Sequence, residues 1–160
     1  ATAAGAVSFF YVGLGIGAPI LPLIGNYFKS HRFVIVLSAV GTLTFLSCAL
    51  YCTAIPFWMT YFLFAAGGFF SSGQFVAFST VTFMNDQKIS GIATGFHNML
   101  CMASGIIFQP FIGVILDWVK TGQEYTIPNY MIALSVVPIA LILSIIAGCY
   151  FTETYGKDYK

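Results

Sequence analysis

Five long stretches of almost uninterrupted apolar residues dominate this chain, at about residues 1–24, 33–53, 57–84, 91–116 and 130–151. A bilayer core about 30 Å thick is crossed by roughly 20 apolar helical residues, so each stretch is long enough to span it. Only 7% of the residues are charged, against roughly 25% in soluble domains. The sequence therefore predicts an all-α, polytopic transmembrane helix bundle with about five spans.

The predicted breaks between the spans are short. They cover residues 26–32, 52–56, 85–90 and 117–129. The longest contains Trp118 and Tyr125, aromatic residues suited to the headgroup boundary. These breaks have no room for a soluble domain or a catalytic loop. We therefore expect a protein that is not an enzyme, with its function located in the helices or at their ends.

The cationic residues follow the alternation of the spans. Lys29 and Arg32 lie in the first break, Lys88 in the third, Lys120 in the fourth, and Lys157 and Lys160 in the tail. Because basic loops stay in the cytoplasm, this bias predicts an outer Ala1 and a cytoplasmic C-terminal tail. We expect the membrane to be a bacterial inner membrane. The net charge of +1 and the lack of a basic run exclude nucleic acid as a partner.

Residues that hold metals or cofactors are sparse and scattered. The four cysteines lie in or beside the predicted helices, His31 falls in a loop, and His97 falls in the fourth span. No HExxH spacing occurs. We expect neither a metal site nor a cofactor.

Polar residues inside the spans are the best clue to a site, because a polar group in hydrocarbon tends to face the protein interior or water. Gln74 and the pair His97 and Asn98 fall at comparable depth in the third and fourth spans, so they are predicted to face one cavity. The candidates for a solute pathway are Gln74, His97, Asn98, Gln109, Ser71, Thr94 and, as a stacking surface, Tyr11. Hydrogen bonding between helices, without any ligand, is the alternative interpretation.

No Asp, Glu, Lys or Arg lies well inside any predicted span. Proton coupling needs a group that changes charge within the pathway. Three possibilities remain open at this stage: His97 serves, a carboxylate outside these spans serves, or transport is uncoupled.

Glycine spacing predicts where helices touch. Gly13 with Gly17, and Gly91 with Gly95, form steps of two small residues four positions apart, which allow helix backbones to approach closely in lipid. We also predict that the last span is peripheral.

The run 17–32 resembles the loop signature of the major facilitator superfamily, which joins the second helix to the third and, in weaker form, the eighth to the ninth. Its motif positions here are Gly17, Pro22, Gly25, Asn26, His31 and Arg32. Pro22 stands where the family has glycine, and Asn26 where it has an acidic residue. That weakening favours the C-terminal copy. Residues 91–98 and 109–117 are similar to an eleventh helix, and residues 152–157 to the segment after the twelfth.

The resemblance implies a C-terminal portion, helices eight to twelve, of a twelve-helix transporter. Its implied partners are the lipid bilayer, the N-terminal helices of the same transporter, a small organic solute such as an amino acid, nucleoside, sugar or metabolite, and a proton where transport is coupled. Alternating access is the implied mechanism. The alternative is a structural or assembly subunit of a membrane complex, whose polar stripes bind neighbouring helices.

Overall fold

The computed structural model describes residues 2–52, 55–120, 122, 124–153 and 155. In that part of the chain it contains helices and no strand, which confirms the all-α prediction. The helices are α1 (Thr2–Phe28), α2 (His31–Tyr51), α3 (Phe57–Ser71), α4 (Gln74–Met84), α5 (Ser90–Val119), α6 (Ile127–Ala133) and α7 (Val136–Tyr150). Ala1 and the tail cations Lys157 and Lys160, which entered the prediction of orientation, lie outside the described residues.

Five helical segments are long and apolar enough to cross a membrane. They are Ala4–Phe28, His31–Tyr51, Phe57–Met84, Ser90–Val119 and Ile127–Tyr150. Their number agrees with the five apolar stretches of the sequence. The chain has the build of an integral membrane protein.

Two of these segments are interrupted by a serine turn that the sequence interpretation did not include. The third breaks between α3 and α4, where Ser72 Oγ donates to the Phe69 carbonyl at 2.7 Å. The fifth breaks between α6 and α7, where Ser135 Oγ donates to the Ile132 carbonyl at 2.7 Å. Each hydroxyl donates a hydrogen bond to the carbonyl three residues earlier, and such local bonds compete with the regular backbone hydrogen bonds of a helix.

The first loop is shorter than the predicted break at residues 26–32. Helix α1 extends to Phe28, and α2 begins at His31. Lys29 adopts a left-handed conformation with φ 50°. The Ser30 N–H then donates to the Gly25 carbonyl at 3.1 Å, and the Lys29 N–H to the Asn26 carbonyl at 3.3 Å. This pair of bonds is the Schellman motif, which satisfies carbonyls at the end of a helix.

Helices α1 and α3 pack backbone to backbone through glycines. A Cβ added at Gly13 would overlap the Ala65 carbonyl, and one added at Gly68 would overlap the Phe10 carbonyl. Gly17 meets α3 in the same way, beside Ser72. The contact predicted for the Gly13 and Gly17 step is confirmed.

Helix α5 is exposed along its length. None of its residues is buried, and its main packing partners among the described helices are α4 and α6. A Cβ added at Gly91 or Gly95 would meet no atom within 4 Å. The predicted helix contact at this second glycine step is therefore wrong for the part of the chain that the structure describes.

The last span lies outside the buried core, as predicted, and α2 is the main packing partner of α7. Helix α7 packs against α2, and a Cβ added at Gly148 would lie 3.1 Å from Val36 Cγ2. The small buried core joins α1, α2 and α4 through Leu21, Val34 and Val76. Helix α2 thus stands between the core and α7.

Candidate functional site

A cavity of about 340 Å³ lies among α2, α3, α4, α5 and α7. Its volume is near the lower end of the roughly 300–1,000 Å³ typical of small-molecule sites. Six polar side chains from α2, α3, α4 and α5 line it: Ser38, Thr42, Ser71, Gln74, His97 and Cys101. Helix α7 contributes Leu141 and Ser144. Four of the five membrane segments therefore contribute to its wall.

The break between α3 and α4 opens onto this cavity. Ser71 ends α3, Gln74 begins α4, and Gly73 between them also lines the wall. A Cβ added at Gly73 would overlap the hydroxyl of Ser38, so the glycine lets α2 approach the break. Gln74 is therefore the first residue after the break, and it lines the cavity at the start of α4.

The hydroxyl groups of the wall differ in how well they are satisfied. Thr42 Oγ1 and Ser71 Oγ lie 3.4 Å apart, a long hydrogen bond. Ser38 is 5% exposed, and its Oγ has no partner among the described residues. Gln74 is exposed and lines the cavity, and its side chain makes no hydrogen bond with the described residues. Unused hydrogen-bonding capacity is therefore concentrated here.

His97 is held by an aromatic ring and a thiol. Its ring stands edge-on to Phe78 with the ring centroids 4.4 Å apart, and its Nε2 lies 3.8 Å from Cys101 Sγ. Because residues four apart share a helix face, His97 and Cys101 enter the cavity together. The imidazole keeps one nitrogen outside this contact.

The structure places three of the predicted pathway residues on the cavity wall: Gln74, Ser71 and His97. The other four do not line it. Thr94 donates to the Ser90 carbonyl at 2.8 Å, and its hydroxyl lies 3.1 Å from that of Thr82. Asn98, Gln109 and Tyr11 are exposed, and Tyr11 borders a separate apolar groove of about 290 Å³.

Sequence reasoning missed the contribution of α2. Ser38 and Thr42 lie four residues apart, so they share one face of an apolar helix. That spacing was available in the sequence. The second span was interpreted by its overall apolarity, which hides two small hydroxyl residues.

The motif residues at the first loop have structural roles. Gly17 lies in the α1 and α3 contact, and Pro22 is half-buried inside α1. The carbonyls of Gly25 and Asn26 accept the two bonds that end α1. His31 and Arg32 begin α2 and turn toward the C-terminal segment, the His31 ring lying 5.5 Å from that of Tyr155.

A reciprocal contact joins the start of α2 to the end of α7, and we call it the α2–α7 clasp. The Glu153 carboxylate accepts from the His31 N–H at 3.0 Å and from the Ser30 hydroxyl. The Arg32 guanidinium donates to the Cys149 carbonyl. The Glu153 carboxylate thus lies at the N-terminus of α2, and the Arg32 guanidinium lies at the C-terminus of α7. Each charge has the sign that the helix dipole favours at that end.

Removing the carboxylate should weaken the clasp. We expect Glu153→Ala to lower the free energy of unfolding by about 2 kcal/mol, because a hydrogen bond to a charged group contributes roughly 1.5–3 kcal/mol. Glu153→Gln should lose less, since it keeps an acceptor. Denaturation in detergent micelles measures both. Glu124→Ala is the control, because Glu124 is exposed outside the helices; equal stability of both alanine variants would contradict the role of the clasp.

The break between α5 and α6 holds a second polar cluster. Tyr125 Oη donates to Asp117 Oδ1 at 2.7 Å, and Lys120 Nζ lies 4.4 Å from the centre of the Tyr125 ring. The hydrogen bond to Asp117, together with its negative charge, raises the pKa of Tyr125. Trp118 beside it is 84% exposed. Exposed aromatic and charged groups suit a headgroup boundary.

Among the described residues no group of three or more His, Cys, Asp or Glu side chains is arranged to hold a metal ion. Comparison of the chain with protein-family models, with curated proteins and with solved structures finds no match.

Proposed function

We propose that this chain is part of a secondary transporter or facilitator that moves a small organic solute across a membrane by alternating access. The observation that carries the proposal is a polar cavity at a broken helix inside an otherwise apolar bundle. Irregular backbone at membrane depth is tolerated where it lines a cavity, and transporter sites are commonly built at such breaks.

The resemblance of residues 17–32, 91–98 and 109–117 to the major facilitator superfamily supports the same proposal. In that family the five spans correspond to the C-terminal portion, and the N-terminal helices complete the pathway. Helix α5 is compatible with such a completion, since its glycines offer an unoccupied face. We propose a bacterial inner membrane as its location on the basis of that resemblance, and the cation bias gives the orientation of the spans.

Orientation can be tested by labelling. In a cysteine-free variant of the full natural chain, a cysteine at Ser30 or Lys88 should react only with a reagent applied from the cytoplasmic side. A cysteine at Glu124 should react only from outside. The reason is the excess of cations in the first and third breaks. Labelling of positions 88 and 124 from the same side would refute the proposed topology.

Solute uptake tests the function itself. Liposomes containing the full natural chain should accumulate or exchange a labelled solute from a panel of amino acids, nucleosides and sugars. Empty liposomes supply the background. Absence of uptake by a folded protein, together with its stable association with another membrane protein, would favour the alternative of a structural or assembly subunit.

We propose His97 as the group that couples transport to protons, if coupling occurs. It lines the cavity, and no Asp or Glu in the described part of the chain does. Within the uptake assay, His97→Gln should then keep exchange down a gradient and lose accumulation against one. Retained accumulation would leave a carboxylate elsewhere, or uncoupled transport, as the remaining explanations.

A further inference from the structure

Among the residues that the structure describes, none with a formal charge lines the cavity: its wall contains no Asp, Glu, Lys or Arg. Among the described residues the charged side chains lie at or beyond helix ends: Lys29, Arg32, Asp86, Lys88, Asp117, Lys120, Glu124 and Glu153. With His97 neutral, an ion moved from water into such a site loses hydration without gaining a partner of opposite charge.

The same wall is rich in groups that both donate and accept hydrogen bonds. The hydroxyls of Ser38, Thr42 and Ser71 can do either, and the Gln74 amide offers an oxygen and an NH₂ group. These groups come from α2 on one side and from the break between α3 and α4 on the other. A solute with both kinds of group on its surface matches this pattern.

Resting on the transport function proposed above, we infer that the cavity selects an uncharged polar solute that carries several hydroxyl or amide groups. The volume of about 340 Å³ limits that solute to a small molecule. Selection acts through desolvation. Each hydroxyl of the solute replaces its hydrogen bonds to water with hydrogen bonds to wall groups, whereas a charged group loses its hydration and finds no wall group of opposite charge.

Ser38 gives the inference a second, independent support. A buried hydroxyl without a partner is destabilising, and the 5% exposure of this residue leaves it poorly hydrated. Rotation of its side chain toward a bound solute supplies the missing partner. Ser38 therefore stabilises the occupied cavity more than the empty one.

Cys101 provides a natural reporter of occupancy, because its thiol lies on the cavity wall. The full natural chain, with Cys101 as its only cysteine, is treated with N-ethylmaleimide in the presence of glucose, mannitol or uridine. At least one of these uncharged solutes should slow labelling severalfold. Gluconate and glucosamine, the charged counterparts of glucose, should not.

Two controls show whether slower labelling reports binding in the cavity or an effect of the solute or of a serine substitution elsewhere in the protein. A variant that keeps only Cys52, which is exposed at the end of α2, should label at the same rate with and without solute. Ser38→Ala should weaken protection about tenfold in solute concentration, whereas Ser79→Ala should not. Ser79 bonds to the Phe75 carbonyl of its own helix and does not line the cavity.

Protection by a charged counterpart as strong as by its neutral parent, or no protection by any of the three neutral solutes, would overturn the inference. Its failure is distinct from failure of the proposed function. Protection without uptake would keep the cavity as a binding site and remove transport. Uptake without protection of Cys101 would keep transport and place the solute elsewhere.

Discussion

Replacing Gly68 by alanine should lower the free energy of unfolding by about 3 kcal/mol, at the upper end of the cost of overpacking. The added Cβ would overlap the Phe10 carbonyl, and a backbone atom cannot leave by rotating a side chain. Helices α1 and α3 would have to separate along their contact. Denaturation in detergent micelles, followed by circular dichroism, measures the effect.

The matched control is Gly105→Ala in α5. An added Cβ there meets no described atom within 4 Å, so the substitution should be neutral or raise stability by up to about 1 kcal/mol through helix propensity. The two variants make the same chemical change in two helices. Similar effects at both positions would contradict the close α1 and α3 packing.

Replacing Gln74 by leucine should weaken solute binding about ten- to a hundredfold. The change removes an amide at similar volume, and a lost hydrogen bond to a solute typically costs about 1–3 kcal/mol. The amide is exposed at the start of α4 on the cavity wall, so folding should be little affected. Affinity is measured from the solute concentration that half-saturates uptake or protects Cys101.

Gln109→Leu makes the same substitution outside the cavity. Gln109 is exposed on α5 and does not line the wall, so its variant should bind with wild-type affinity. Wild-type affinity in the Gln74 variant, with folding confirmed, would make Gln74 a packing group. A loss at Gln109 alone would move the site along α5.

The membrane fold was predictable because one physical requirement dominates it. A helix must be long and apolar to cross hydrocarbon, and the five apolar stretches report that requirement directly. The breaks at Ser72 and Ser135 were not predictable from hydropathy. A serine inside an apolar stretch is compatible with both a continuous helix and a turn, and the choice depends on tertiary packing.

The sequence predicted the depth of the site residues along their helices, but not which helix face lines the cavity. Gln74 and His97 were paired by counting residues from the helix ends, and both line the cavity. Asn98 has nearly the same depth as His97, but adjacent residues of an α-helix point about 100° apart, so it faces away. Which face of α5 meets α4 is decided by contacts between helices, which hydropathy does not encode.

The α2–α7 clasp has a consequence for the order of assembly during synthesis. Glu153 bonds a residue 122 positions earlier in the chain, and at 5–20 residues per second a ribosome needs roughly 6–24 s to cover that distance. The contact between α1 and α3, in contrast, is complete once Ser72 has emerged. Helices α1 and α3 can therefore pack early, while the backbone N–H at the start of α2 gains its carboxylate partner only after Glu153 has been synthesised.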